Sequence, residues 1–421
     1  MKSRSTPNRR IVATGRRGSV YLVVLGLSML VTILALGAIA AGLAQRRSGE
    51  SLNDAADARH YAKAAVDMGR YAISQDANWR TDYAPGTWIN TTMGSGSCSL
   101  GVIDPIDGNL GNRPYDAVRL TGTGYKGKAI QMVQATMVGS GTPIDALQYA
   151  LFVPGMLHNM AAATSFFANA TLATNGTYQT EGSLFGNVSC FLTAGPGTTY
   201  GTVNTFGSST STPPTTIESM YVALGTAISP GIAMQQVVLT STYNPYGAAN
   251  SDGVYVITAS ADMTIQNCRI NGTLVVVDPG HTVTFNGSIL MSPARKDFPV
   301  MIIDGNAIFS CTTAALSEAT CAANFNPSGA PYNGVSNSTM TDTYPSMISG
   351  LVHVKGTVKF QAAGLIHGAV ICESTASPDA VQINANEEID YDPTLYTNPP
   401  QGYTKSVTMS VQPGSWTRVV N

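Results

Sequence analysis

INGTLVVVDPG (270–280) is echoed by FNGSILMSP (285–293), and IIDGNAIFS (302–310) repeats the theme. Further on, ISGLVHV (348–354) recurs as IHGAVIC (366–372), an offset of 18 residues (366 − 348), and VQINANEEIDYD (381–392) completes another turn. Short runs of β-branched residues alternate with Asn-Gly, Asp-Gly or single Gly turns at an irregular period of about 15 to 18 residues. That rhythm predicts a mainly β protein whose body is a right-handed, parallel β-helix-like solenoid, with Val, Ile, Leu and Phe of each coil stacked in one continuous core. An antiparallel β-sandwich is the alternative, because Asn-Gly turns also close hairpins. Unequal strand lengths and the lack of clear hairpin pairs favour the solenoid.

The solenoid is expected over 143–395. Two stretches interrupt the rhythm: 193–216, rich in Gly, Ser, Thr and Pro, reads as a surface loop or irregular coil, and 310–345 as an insertion between coils. Residues 396–421 are expected to form a cap or tail.

The N-terminal part obeys a different period. VYLVVLGLSMLVTILALGAIAAGLA (20–44) carries no charge, and as a helix it would reach about 37 Å, enough for a bilayer core of about 30 Å. Lys2, Arg4, Arg9, Arg10, Arg16 and Arg17 precede it and no acid does, so the positive-inside rule keeps residues 1–18 cytoplasmic and exports the body. Leu52, Ala55, Ala56, Ala62, Ala65, Val66, Met68 and Ile73 recur near helical spacing, and no proline occurs from Val20 to Asn78. The spacing predicts a transmembrane helix at 19–45 continued by an amphipathic extension at 46–78, about 59 residues in all and about 88 Å long. AVRLTGTGYKGKAIQMVQATMV (117–138) then reads as two alternating strands around a glycine turn, within a small β region at 79–142.

A basic leader ending Arg16-Arg17-Gly18, followed at once by a long apolar helix, resembles the class III signal, or type IV pilin-like, family. The order helix, small sheet, glycine-rich body is similar to its minor-pilin subgroup, related to PilX and the GspK pseudopilins. The resemblance implies prepilin-peptidase cleavage after Gly18 and N-methylation of Ser19. It also implies a bacterial inner-membrane precursor, packing against other pilin-like subunits through the helix, and a role in pilus assembly, secretion or adhesion. Major pilins carry Glu at the fifth mature position; this chain has Val23, which points to a minor subunit. Gly37-xxx-Ala41 and Ala38-xxx-Gly42 give the small-residue spacing that lets such helices approach.

Charge narrows the partners. The chain has 23 bases and 25 acids; without the six leader bases it has 17 against 25, a net −8, which argues against nucleic acid. Lipid is the expected contact of the helix, and surface polysaccharide that of the body. Cys98, Cys190, Cys268, Cys311, Cys321 and Cys372 show no CxxC spacing; Cys311 and Cys321 could close a local disulfide in an oxidising exterior, and Cys268 and Cys372 read as buried thiols.

No nucleophile elbow, phosphate loop or HExxH motif occurs, and no cofactor is expected. The densest acids are Glu387, Glu388, Asp390 and Asp392; alternation puts Glu388, Asp390 and Asp392 on one strand face, the nearest thing to a calcium site, though a solvated face is the simpler reading. His353 and His367, fourteen apart, are close to one coil and could stack, though without a third ligand in register the simpler reading is that they line a polar face. Seven sequons, at Asn90, Asn169, Asn175, Asn187, Asn271, Asn286 and Asn337, fall largely at turns. These readings favour a non-enzymatic pilin-like subunit. The alternatives are a membrane-tethered β-helix enzyme or binding protein acting on polysaccharide, and a scaffold that polymerises through open coil ends.

Overall fold

The computed structural model describes residues 17–106, 108–111, 115–161, 163, 165–206, 209–405 and 408–419. The expected leader lies outside them as far as residue 16. The chain divides into two compact units, Met1–Gly139 with Met409–Asn421, and Ser140–Thr408.

The first unit is built on α1 (Arg17–Gln75), a single helix of 59 residues. Alanine and leucine dominate it and no proline interrupts it, so backbone hydrogen bonding runs unbroken. It stops where the Asn78 amide donates to Asp76 Oδ1 (2.8 Å) in a side-chain turn, and a single turn, α2 (Trp79–Asp82), follows. Strands β1 (Gly86–Met93), β2 (Gly96–Ile103), β3 (Val118–Lys126) and β4 (Ala129–Ser140) pair antiparallel in sequence order. Cys98, Leu100 and Val102 of β2 alternate inward with Val118 and Leu120 of β3, burying a core with Ala65, Val66 and Ile73 of α1.

The second unit is the solenoid. A first run of coils comprises β5 (Leu151–Val153), β6 (Leu157–Asn159) and β7 (Phe166–Ala168); then β8 (Leu172–Thr174), β9 (Thr177–Thr180) and β10 (Ser183–Phe185). It ends with β11 (Val188–Cys190), β12 (Leu192–Ala194), β13 (Thr198–Tyr200) and β14 (Val203–Thr205). Of the stretch 193–216, expected as a surface loop or irregular coil, residues 193–205 carry strands of the last coil of this run. Its side chains are too short and polar to signal a strand. A helix unmarked in the sequence, α3 (Ile217–Leu224), separates it from a second run.

The second run begins with β15 (Thr226–Ile228), β16 (Ala233–Gln235) and β17 (Val238–Thr240), then β18 (Val254–Thr258), β19 (Met263–Gln266) and β20 (Arg269–Asn271). Next come β21 (Thr273–Gly287), which spans two faces, β22 (Leu290–Ser292) and β23 (Met301–Cys311). The 310–345 insertion holds a two-strand ladder, β24 (Leu316–Ser317) and β25 (Thr343–Tyr344), around a short α4 (Glu318–Cys321). Buried Glu318 organises it, accepting from Phe325 N (2.7 Å), Asp342 N (3.0 Å) and Tyr344 Oη (2.9 Å). The run closes with β26 (Met347–Val354), β27 (Val358–Phe360), β28 (Leu365–Cys372), β29 (Val381–Ile383) and β30 (Glu388–Tyr391).

All described pairs between coils are parallel, so the antiparallel sandwich is not the fold of the body. The repeat aligns like on like: Ile228, Ile257, Val276, Ile303, Val354 and Cys372 form one inward column. Phe285, Phe309 and Phe360 form another, their rings stacked at 5.3 and 5.5 Å. Spatial order differs from chain order. The last coil pairs with the first, Val370 with Leu151, Val381 with Leu157 and Ile389 with Ala168. The second run thus stacks beneath the first, and β12, β13 and β14 lie at one end.

One coil face is buried on both sides, which explains runs such as LVVV that do not alternate. Outward Val256, Val275, Ile302, Ile371 and Phe152 pack under α3 (Ile217, Tyr221), Leu395 of α5 (Thr394–Thr397) and Tyr403. The segment expected as a cap therefore lies across a coil face. Beyond it, β31 (Thr408–Val411) and β32 (Thr417–Val419) join the sheet of the first unit beside β4.

Candidate functional site

Two surfaces carry what this chain can do. The first is α1, whose halves have opposite surroundings. From Val20 to Leu43 its apolar side chains stand exposed, Leu34 at 63% for example, and its most apolar 18-residue window has a mean hydropathy of 2.6 with none of it buried. Its two aliphatic hydroxyls turn back on the helix, Ser28 to Leu25 O (2.9 Å) and Thr32 to Ser28 O (2.8 Å), which satisfies them within an apolar medium, while the exposed Tyr21 stands at the N-terminal end of the run. Further along, Ala58, Ala62, Ala65, Val66 and Ile73 are buried, a stripe at helical spacing. They seat directly on β3, because Gly122 and Gly124 present no side chain. A Cβ on Gly122 would lie 2.0 Å from Ala62 O, and one on Gly124 1.9 Å from Ala58 O. Gly18 and Ser19, the expected processing site, fall in the first turn of α1.

The second surface is the outside of the solenoid. Of the expected acidic group, Glu388 is exposed and Asp390 half-buried on β30, alternating with buried Ile389. Asp390 accepts from Asn169 Nδ2 (2.6 Å) and lies 2.7 Å from His367 Nδ1. Asp392 lies past the strand and caps the next turn, accepting from Thr394 N (2.9 Å). The oxygens of Asp390 and Asp392 are engaged in local structure, and among the described residues no group of three metal-ligating side chains forms. Glu387 points inward, 1% exposed, where burial pushes its carboxyl up to about 8 beside Cys311.

The two histidines do not stack. The coil repeat aligns His353 with Ile371 and His367 with Ser349. His353 is buried, its Nε2 2.8 Å from Glu373 and its Nδ1 2.9 Å from the Tyr403 hydroxyl. A further histidine that the sequence did not single out, His158, sits 2.5 Å from Asp379 and 3.5 Å from Glu181. Asp379 is 221 residues away, and the two meet because the first and last coils are neighbours.

All six cysteines are buried and free, which corrects the expected Cys311–Cys321 link. Cys311 ends β23 inside the main core, whereas Cys321 belongs to the separate small core of the insertion with Phe325 and Tyr344. Burial raises their thiols, Cys268 to about 11 and Cys372 to about 12, so they stay protonated and unreactive at neutral pH.

On the outer edge of the first run, Phe167, Phe185 and Tyr200 form a ladder of rings with centroids 4.8 and 4.5 Å apart. Sequence alone does not show it, since the three are adjacent only through the coil register.

No family model and no curated protein matches the chain. Among solved structures it is similar to the competence-associated pilin ComZ from Thermus thermophilus, at 11% identity over 87% of this chain and 98% of that one, with a TM-score of 0.32. It is also similar to a DUF3494 domain of an ice-binding protein from Shewanella frigidimarina, at 11% identity over 59% and 97%, with a TM-score of 0.26. At these scores neither likeness decides family or function.

Proposed function

We propose that this chain is a non-enzymatic, pilin-like minor subunit, anchored in the inner membrane of a bacterium by the first half of α1 and displaying its solenoid on the outer side. The observation that carries the reading is the division of α1: one continuous helix, bare and apolar from Val20 to Leu43, seated on an antiparallel sheet from Ala58 onward. A helix that only anchored the chain would have no need to continue, without a hinge, into the fold of the exported unit. Val23 leaves the rod without an acid, so it enters lipid or a bundle of like helices with no charge to desolvate. Prepilin peptidase acting after Gly18 and other pilin-like subunits are the proposed partners of this half. Surface polysaccharide is the proposed partner of the body, on hydroxyl and amide columns such as Thr264–Thr284 and Asn286.

The test is the N-terminal residue of the protein recovered from membranes, read by mass spectrometry. N-methylated Ser19 is expected. An intact Met1, with the body protected from protease added to spheroplasts, would overturn both processing and orientation. Loss of binding to isolated surface polysaccharide on changing Thr284 to Lys tests the second partner.

A further inference from the structure

One outer face of the solenoid carries a cleft that crosses four successive coils. Its walls are Thr282 of β21, Asn306 and Ile308 of β23, Lys359 of β27 with Thr357 just ahead of it, and Gln382 of β29 with Asp379 just ahead of it. Three steps between parallel strands make it about 14 Å long. Coil register builds it: Thr282 lies against Asn306, Ile308 against Lys359, and Lys359 against Gln382. Hydrogen bonds within the walls decide which atoms are left for a ligand. Asn306 Oδ1 accepts from Thr357 N and Thr357 Oγ1, both at 2.9 Å. A backbone amide can only donate, so the side chain is fixed with its Nδ2 turned to the cleft. Asp379 has one oxygen 2.5 Å from His158 Nδ1 and accepts with the other from Gln382 Nε2 (2.5 Å). Its charge is therefore engaged, and Gln382 keeps only Oε1 for a ligand. Lys359 is half-buried and has no ion pair or hydrogen bond among the described residues.

What remains open is weighted towards donors and carries one positive charge: Lys359 Nζ, Asn306 Nδ2 and the Thr282 hydroxyl share the cleft. We infer that it binds a uronate unit of an acidic polysaccharide, the carboxylate on Lys359 and Asn306 and the sugar ring over Ile308. This rests on the reading of the body as a polysaccharide-binding surface and names the sugar. A carboxylate gives the ammonium a charge-assisted bond, which a neutral hydroxyl does not. Ile308, half-buried and facing outward between Thr284 and Lys359, offers the C–H face of a ring an apolar floor. The ligand is a chain because the face continues as a track: Gln235, Gln266, Asn286 and Ser310 align coil by coil, and Ser310 Oγ lies 3.3 Å from Gln361 Oε1. Uncharged amides and hydroxyls both donate and accept, as sugar hydroxyls do. A nucleic acid fits this face poorly. It brings a phosphate with every nucleotide, whereas the cleft holds one unpaired base on a net acidic body.

The full-length protein in detergent micelles is titrated calorimetrically with tetragalacturonate, with the neutral galactose tetramer and with oligothymidylate. Tetragalacturonate is expected to bind, and to bind more weakly as salt rises. Lys359→Met should weaken it about tenfold or more, and Lys359→Arg should retain most of the affinity. Asn306→Asp keeps the acceptor for Thr357 but sets a carboxylate against the ligand, and should weaken binding as well. Lys128→Met removes the same charge from an exposed site on the first unit and should change nothing. Melting temperatures should hold for the Lys359 variants, since that side chain has no partner to lose. Equal binding of the neutral tetramer, with the Lys359 and Asn306 variants indifferent, would overturn the uronate site and leave the polysaccharide reading standing. Binding of oligothymidylate that Lys359→Met abolishes would also overturn it and assign the cleft to nucleic acid. Failure of both sugars to bind would overturn the site and the polysaccharide reading together.

Discussion

His353 Nδ1 lies 2.9 Å from the hydroxyl of Tyr403, joining a solenoid column to a strap 50 residues later in the chain. Both side chains are buried, Tyr403 completely. The strap is held again at Asp297, whose carbonyl accepts from Gln401 N (2.8 Å) and whose carboxylate accepts from Gln401 Nε2 (2.7 Å). His353 is the polar break in an otherwise apolar outward column of Val256, Val275, Ile302, Ile371 and Phe152. It marks where the strap crosses.

Tyr403→Phe removes the hydroxyl and leaves a buried imidazole nitrogen without its partner. The expected loss is about 1–3 kcal/mol in urea unfolding. Amide exchange should quicken across 395–405 before it quickens in the coils. Unchanged exchange there would show that the contact does not hold the strap.

Glu387 makes stability fall as pH rises. Its folded value of about 8 lies above the ordinary 4.5 because burial penalises the charged form. The native state therefore holds a proton that the unfolded chain gives up, and stability present below pH 4.5 drains away between 4.5 and 8. By pH 7 the loss is on the order of 3 kcal/mol. Glu387→Gln should flatten that slope and raise the melting temperature at pH 7 but not at pH 4; equal shifts at both would refute the assignment.

Gly124→Val places a branched side chain where even a Cβ comes within 1.9 Å of Ala58 O. Helix and strand must separate, at a cost of about 3 kcal/mol or more. Near-ultraviolet circular dichroism and proteolysis of the Gly124 variant should show the first unit opening while the solenoid stays protected. Full protection of α1 would contradict this seating.

Leu30→Lys with Leu34→Lys adds about 2.5–3.5 kcal/mol per site to membrane insertion. Both positions are exposed and touch no core, so folding of the two units should be unaffected. Cell fractionation should move the variant out of the membrane pellet. Retention there would mean another segment holds it.

Much of this architecture was readable from residues. The charge-free run and the absence of proline announce α1, and alternation over 117–138 gives β3 and β4 almost to the residue. The 18-residue offset of ISGLVHV and IHGAVIC is the coil step between β26 and β28, aligning Ile348 with Ile366. What stayed hidden is order in space. A repeat reveals that coils stack but not which coil is whose neighbour, so the meeting of His158 with Asp379 could not be read. His353 and His367 are four residues short of the 18-residue step between their strands, enough to put them on different coil faces. Thr-rich β12–β14 gave no strand signal because nothing in them needs burial. The cysteines misled for a related reason: nearness in sequence says nothing about which of two cores a thiol enters.

The junction of the first coil with the last also sets a timetable. β5, β6 and β7 leave the ribosome, and on the orientation proposed here cross the membrane, some 200 residues ahead of β28, β29 and β30. Until those arrive, the early coils have a bare flank, and a chain truncated before Leu365 would never cover it. Closure waits on β28, β29 and β30, which makes this a slow, non-local folding event and makes stops ahead of them more damaging than their length alone would suggest.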